Sequence, residues 1–254
     1  MLAITHLPSP RMEQCQLTYV ARAPIDYDLA VHQHEHYCQA LRQCGADVRV
    51  LDVNRDFPDC VFVEDTAIVL DEIAVLTSMG VESRRAELVG IEPELRKHRE
   101  VRRIEAPATI EGGDVLCVGR TLLVGLSSRT NRAGVEALEM IVRSYGYKVT
   151  PISVRECLHL KTACTALPDQ RLLVNPAWLD MRAIQEFQSV SVPEEEPWAA
   201  NVALVGTTVC VAANHLRTAD MIRAFGFDVQ TIDLSEFAKA EGGVTCLSIL
   251  CRAV

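Results

Sequence analysis

Aromatic residues are scarce, at 5% of 254 positions, so a surface built to stack bases or sugars is not expected. Positive charge is also in deficit. With 25 Lys and Arg against 34 Asp and Glu the net charge is −9, which repels a phosphate backbone and excludes nucleic acid as a partner. The same excess tolerates or attracts a small cation. Long apolar runs are missing too: "AANVALVGTTVCVAA" is broken by Asn201, Thr207 and Thr208 and is too short to span a bilayer. The start, "MLAITHLPSPRMEQCQ", lacks the basic residues and apolar core of a signal peptide. Neither a Walker A loop nor a GxGxxG fingerprint occurs, so a nucleotide cofactor has no support. The ten cysteines (15, 38, 44, 60, 117, 157, 164, 210, 246 and 251) contain no CxxC pair. Most are expected to be reduced core residues of a soluble, cytoplasmic protein.

What the chain has is apolar material and a repeat. Hydrophobic residues make up 49% and charged ones 23%, enough to bury the core of one domain over residues 1–254. Four stretches, "VFVEDTAIVLDEIAVLT", "EGGDVLCVGRTLLVGLS", "HLKTACTALPDQRLLVNP" and "AANVALVGTTVCVAA", read as strand, tight turn (DE, GR, PDQ, VG) and strand; "GGVTCLSILC" begins a fifth. Helical patterns fit 29–44, 82–98, the stretch "RTNRAGVEALEMIVRSYG" and 216–225. A strand follows each helix, as in "ADVRVLDV", "YKVTPISV" and "FDVQTIDL". The polar residues that open the hairpins, Asp65, Glu111, His159, Asn201 and Cys246, are spaced by 46, 48, 42 and 45 positions. Such a period means an array of one unit, here two strands, a helix and a strand, about five times over. Five units can close a ring, which removes exposed sheet edges. The hairpin starts would then face its axis.

Convergence there would bring together a thiol (Cys246), an imidazole (His159) and two or three carboxylates (Glu111, Asp65 and Asp59). A Cys–His pair is the minimum for nucleophilic catalysis. Carboxylates around it oppose thiolate formation unless the substrate is itself a cation, and paired acids match a planar guanidinium. Arg84 and Arg129, in "SRR" and "SRTN" just past two hairpins, could pair with a ligand carboxylate. Acids inside and arginines at the mouth describe a zwitterionic guanidino amino acid.

The elements "FPDCVFVEDTAIV", "ESRRAE", "IEGGDVLCVGRTLLVGLSSRTN", "LHLKT" and "GGVTCLS" closely resemble, in this order, the dimethylarginine dimethylaminohydrolases. The resemblance runs from "CQLTYVAR" to the last strand. It implies the five-bladed α/β-propeller (pentein) fold of the guanidino-group-modifying superfamily and hydrolysis of Nω-methylated arginines to citrulline, with no metal or organic cofactor. By motif, Cys246 corresponds to the nucleophile and His159 to the general acid and base. Glu111 and Asp65 correspond to guanidinium-binding acids, Arg84 and Arg129 to carboxylate binders, and Asp59 to a further active-site acid. Leu17 falls in the flexible lid. Deiminases and amidinotransferases of the superfamily carry an Asp two residues after the histidine; Lys161 stands there, as in the dimethylarginine hydrolases. Leu247 replaces the second cysteine of the pair found in some members. A homodimer follows from the resemblance only.

Plainer readings stand beside these. Cys246 could be core, His159 a satisfied buried histidine, Glu111 part of a turn, and Arg84 and Arg129 surface charges at helix starts. The triplet His32, His34, His36 looks like a metal site, but only His32 and His36 share a helical face and no acid or thiol completes a set. "LRKHREVRR" (95–103) reads as a solvated basic face and "PEEEP" (193–197) as a charged loop. Rival functions are a deiminase or hydrolase of another guanidino or ureido compound, and a non-catalytic sensor of arginine-like ligands.

Overall fold

The apolar runs become five three-stranded sheets in a computed structural model that describes residues 1–252. In chain order the strands are β1 (Leu2–His6), β2 (Asp47–Leu51), β3 (Ala67–Val69), β4 (Ile73–Leu76), β5 (Glu100–Arg103), β6 (Val115–Val118), β7 (Thr121–Leu126), β8 (Lys148–Ser153), β9 (Cys164–Ala166), β10 (Leu172–Val174), β11 (Ser189–Ser191), β12 (Ala203–Val205), β13 (Thr208–Ala212), β14 (Asp228–Ile232) and β15 (Ile249–Cys251). The helices are α1 (Tyr27–Gln43), α2 (Glu87–Leu95), α3 (Arg132–Val142), α4 (Leu160–Ala163), α5 (Leu216–Ala224) and α6 (Ser235–Ala238). In the sheets β3-β4-β5, β6-β7-β8, β9-β10-β11 and β12-β13-β14 an antiparallel hairpin is extended by a parallel third strand. The fifth sheet joins the two ends of the chain. β15 pairs antiparallel with β1, Ile4 opposite Ile249, and β1 pairs parallel with β2.

Middle strands are largely apolar because both faces are covered; Ile73, Ala74, Val75 and Leu76 of β4 are all fully buried, as are Thr5 and His6 of β1. Third strands such as β5, Glu-Val-Arg-Arg, are largely exposed and charged, which guards an open edge. The hydrophobic core is divided into five clusters, one at each junction between neighbouring sheets. Ile68, Ile73 and Val75 of one sheet, for example, meet Val115, Leu122 and Val124 of the next, under Leu138 of α3. Helix ends follow local chemistry. The Asp26 carboxylate accepts from Leu29 N at the start of α1, Asn131 Oδ1 accepts from Gly134 N at the start of α3, and Gly45, Gly146 and Gly226 take positive φ before β2, β8 and β14.

Three sequence expectations change. The segment read as a helix over 82–98 is a 3₁₀ turn (Glu82–Arg84) and then α2; the tight turn faces Arg84 inward. No α-helix lies between β10 and β11, where Pro176 and the caps Asn175 and Asp180 set up two 3₁₀ turns instead. The last hairpin turns at Gly206 and Thr207, one residue beyond the expected Val-Gly, with Gly206 at φ 63. The three histidines of α1 diverge: His34 is buried against Cys38, while His32 is exposed beside Glu35. The basic 95–103 stretch is paired with Glu92 and Glu94. Glu196 of the acidic loop accepts from Arg217 N and Thr218 N at the start of α5. Among the described residues no helix is long and apolar enough to cross a membrane.

Candidate active site

The segments that lead into the inner strands carry the expected residues. Asp65 lies on the 3₁₀ turn Val63–Thr66 ahead of β3, Glu111 just before Gly112–Asp114 ahead of β6, and His159 at the N-terminus of α4 ahead of β9. Two glycines permit their approach. A Cβ on Gly112 would lie 1.9 Å from Glu64 O, and one on Gly113 would lie 2.6 Å from His159 Nδ1 and 2.8 Å from Asp65 Oδ1.

The centre is a chain of charge. His159 Nε2 bonds Glu111 Oε2 at 2.7 Å, and His159 Nδ1 lies 3.7 Å from Asp65 Oδ1. Arg84 Nη1 donates to Asp65 Oδ2 at 2.7 Å. Glu111 Oε1 accepts from Gly80 N at 2.9 Å, and Arg129 Nη1 stands 3.9 Å away. Behind them the fully buried Asp114 accepts from Leu160 N (2.9 Å), Ser127 Oγ (2.6 Å) and Thr130 Oγ1 (2.7 Å). Asp114 thereby fixes the backbone next to His159.

These contacts set the proton positions. Burial pushes the His159 pKa down, but Asp65 and the Glu111 hydrogen bond outweigh it and raise it to about 9. Burial likewise raises Asp65, but His159 and Arg84 carry it below the usual carboxylate range. Burial, with Glu64 and Asp65 nearby, pushes the Cys246 thiol up to about 12. At neutral pH the site therefore holds a thiol and an imidazolium. Cys246 Sγ accepts from Gly243 N at 3.3 Å. One ligand atom each of Asp65, Glu111 and His159 lie within 4.8 Å of one another, so the trio could hold a cation only after His159 lost its proton. The Arg84 guanidinium on Asp65 opposes that.

A cavity of about 20 Å³ is lined by Asp59, Asp65, Arg84, Arg129, His159 and Cys246 among others. That is room for little more than one water, so an amino acid enters only if the wall moves. Glu111 lies behind His159 and does not line it. Asn201 stands outside it too, bonded to Thr245 and to Lys161 O. Arg84 and Arg129 are buried, at 4% and 6% exposure, and are not surface charges. Arg84 also donates to Glu87 through Nε and Nη2 (3.1 and 3.0 Å) and to Phe62 O. Arg129 Nη2 donates to Thr18 Oγ1 at 3.3 Å. Asp59, its pKa raised by burial, accepts from Gln16 N at 3.1 Å. Leu17, between these two anchors, packs on the cluster around α1.

Sequence reasoning missed Asp114, Glu87, Glu64 and Glu241 as parts of this assembly. "GGD" and the adjacent acids of "VED" were the available signals for two of them. Glu64 accepts from Lys161 Nζ and from Thr245 Oγ1, both at 2.7 Å. Lys161 thus points to Glu64 and not into the small cavity. A larger cavity of about 390 Å³ lies beyond that pair, walled by the inner strands of all five sheets. It is the ring's central channel, and none of the expected catalytic residues line it.

The five-sheet ring with a cysteine, a histidine and acids gathered at one end is the pentein arrangement, the architecture of enzymes that act on guanidino groups. Within that class the match is narrower. The family model of eukaryotic N,N-dimethylarginine dimethylhydrolases matches residues 15–177. A dimethylarginine dimethylaminohydrolase of Streptomyces coelicolor is 38% identical over 98% of this chain and 96% of its own. That of Pseudomonas aeruginosa is 37% identical over 88% and 89%. The solved structure of a cysteine-to-serine variant of the Pseudomonas aeruginosa enzyme with citrulline superposes at a TM-score of 0.91, with 34% identity and 97% of each chain covered. The chain belongs to the dimethylarginine dimethylaminohydrolase family.

Proposed function

We propose that this chain hydrolyses Nω-methylated arginines to citrulline and the corresponding methylamine, through a covalent adduct on Cys246. The observation that carries the reading is the buried pair His159 and Asp65 sharing a cavity wall with Cys246, with Glu111 bonded to His159 from behind. It is supported by the family and by the citrulline complex of the Pseudomonas aeruginosa relative.

The resting thiol and imidazolium determine how the reaction starts. A guanidinium entering the cavity brings positive charge next to a thiol held protonated by burial and by neighbouring acids, and so favours the thiolate; the thiol proton leaves to solvent, because His159 already carries one. The Cys246 thiolate attacks the guanidino carbon and forms the C–S bond of a tetrahedral adduct. Asp65 faces the cation, while Glu111 keeps His159 charged from behind. His159 gives its proton to the methylated nitrogen, the C–N bond breaks, and dimethylamine or methylamine leaves a thiouronium. Neutral His159 then takes a proton from water and the hydroxide adds to the same carbon; as this adduct collapses its hydroxyl proton passes to the departing Cys246 sulfur, which restores the resting thiol and leaves the ureido group of citrulline. Arg129 holds the substrate carboxylate, with Arg84 supporting it while committed to Asp65 and Glu87. Asp59 faces the ammonium. Lys161 acts on specificity by the carboxylate it replaces, because its own charge is spent on Glu64.

The test is to incubate the protein separately with asymmetric dimethylarginine, monomethylarginine and arginine, and to quantify citrulline and the released amine. Citrulline with stoichiometric dimethylamine from wild type, little product from arginine, and none from Cys246→Ser are expected. Ammonia and citrulline from arginine as the main products would make the protein a deiminase.

A further inference from the structure

The segment between β1 and α1 crosses the cavity and is held at several points. Gln16 N donates to Asp59, and Thr18 Oγ1 accepts from Arg129. At the far end Lys239 Nζ donates to Pro24 O at 3.0 Å, and Asp26 N donates to Glu236 at 2.8 Å. Between them one carboxylate collects three successive backbone amides. Glu241 accepts from Thr18 N (3.0 Å), Tyr19 N and Val20 N (2.7 Å). Converging peptide N–H groups of this kind form an anion-binding nest, and here the chain fills its own nest.

Glu241 is also out of place as backbone. It sits at φ 60, a left-handed conformation that costs a side-chain-bearing residue energy and suits glycine. Gly242 and Gly243 follow at once, so the loop already carries glycines, yet this strained position keeps a glutamate. Strain of this sort points to a side chain that is used. Two residues on, Gly243 N donates to Cys246 Sγ; the loop that grips the lid is the loop that carries the thiol.

We infer that Glu241 is a positioning residue that latches the lid over the substrate, an inference that rests on the proposed methylarginine hydrolysis. The other central anchors, Asp59 and Arg129, face the ammonium and carboxylate of a bound amino acid and are drawn away from Gln16 and Thr18 when it arrives. Glu241 lines the same cavity, but its carboxylate is engaged by three amides of the lid itself. Its grip keeps residues 18–20 in place while the two site residues change partners.

The test compares wild type with Glu241→Gly and Glu241→Gln in four readouts: steady-state kinetics on asymmetric dimethylarginine, thermal melting, amide hydrogen exchange at 18–20 without ligand, and labelling of Cys246 by 2-chloroacetamidine. That probe is an amidinium without an amino-acid end, so it does not need the lid. For Glu241→Gly, loss of a charge-assisted acceptor is expected to raise KM about tenfold or more with a smaller change in kcat. Exchange at 18–20 should quicken, labelling should be unchanged, and the melting temperature should hold or rise because glycine fits the backbone. Glu241→Gln, which keeps one accepting oxygen, should recover part of the KM. An unchanged KM, or joint loss of melting temperature and labelling, would overturn the latch. Faster exchange in the variant of a protein that turns over no methylarginine would support the latch and sink the proposed substrate instead.

Discussion

A thiol pushed up to about 12 beside an imidazole raised to about 9 is a poor nucleophile pair at rest. Burial first, then Glu64 and Asp65, raises the thiol; Asp65 and the Glu111 hydrogen bond raise the imidazole against burial. Carboxylates so placed make sense only if a cation joins them. Glu111 is the carboxylate that can be tested apart from the substrate, because it touches His159 and not the cavity. Glu111→Gln removes the charge and keeps the shape. The His159 pKa should fall, so the alkaline limb of the kcat/KM profile should move to lower pH, and neutral-pH activity should drop by about 10². The same pair has a stability signature. A histidine raised in the folded state stabilises fully below its unfolded value of about 6.5, and that contribution is lost as pH rises through about 9. The melting temperature of wild type should therefore decline between pH 7 and 9.5, and that of Glu111→Gln less steeply. Equal slopes, or an alkaline limb that stays where it was, would remove Glu111 from this role.

Elements repeat because their punctuation repeats. A helix closed by a positive-φ glycine and followed by a parallel edge strand occurs with Gly45, Gly146 and Gly226, each at the end of a stretch with a helical pattern. Asn131 shows how closely such punctuation lies to the site. Its Oδ1 accepts from Gly134 N and Thr109 N, and its Nδ2 donates to Pro107 O, two residues after Arg129. Asn131→Ala should cost about 1–2 kcal/mol by loss of the cap, seen as a shifted urea midpoint at constant m-value; a shift under about 0.3 kcal/mol would mean that the cap is dispensable. The hairpins were legible because inner and middle strands are buried and apolar. The inward turn at Arg84 was not, since one helical pattern over 82–98 fits the same residues. Nor was the missing helix between β10 and β11. Cys246, His159, Glu111 and Asp65 could be found because each opens a repeat unit. Glu241 and Asp114 sit inside units and mark no period, and their importance lies in backbone amides that a sequence does not show.

The whole ring depends on contacts between units far apart in the chain, and the Lys161–Glu64 pair is the sharpest of them. It spans 97 positions, lies between the catalytic cavity and the 390 Å³ channel, and shares Glu64 with Thr245, the neighbour of the nucleophile. Glu64 N also donates to Cys246 O at 3.2 Å, so one residue ties the thiol loop to the turn that carries Asp65. The side chains are 18% and 9% exposed, far enough inside that a lone survivor is left poorly solvated. Lys161→Met strands the Glu64 carboxylate and should cost about 3 kcal/mol, the low end for a buried pair because water still reaches the ammonium. At about 2–4 °C per kcal/mol for a chain near this size, the melting temperature should fall by roughly 6–12 °C. Glu64→Gln alone strands the ammonium and should cost less, since Lys161 can turn into the channel. The double variant Glu64→Gln with Lys161→Met removes both charges and should recover most of the loss, so the two single effects should be strongly non-additive. Additive losses would mean that the pair is two independent residues and not a joint across the ring. Replacing Lys161 with Asp, the residue found in the deiminases, would set two carboxylates against each other. Any change in substrate preference in that variant has to be read against its melting temperature, and best in a background where Glu64 is already Gln.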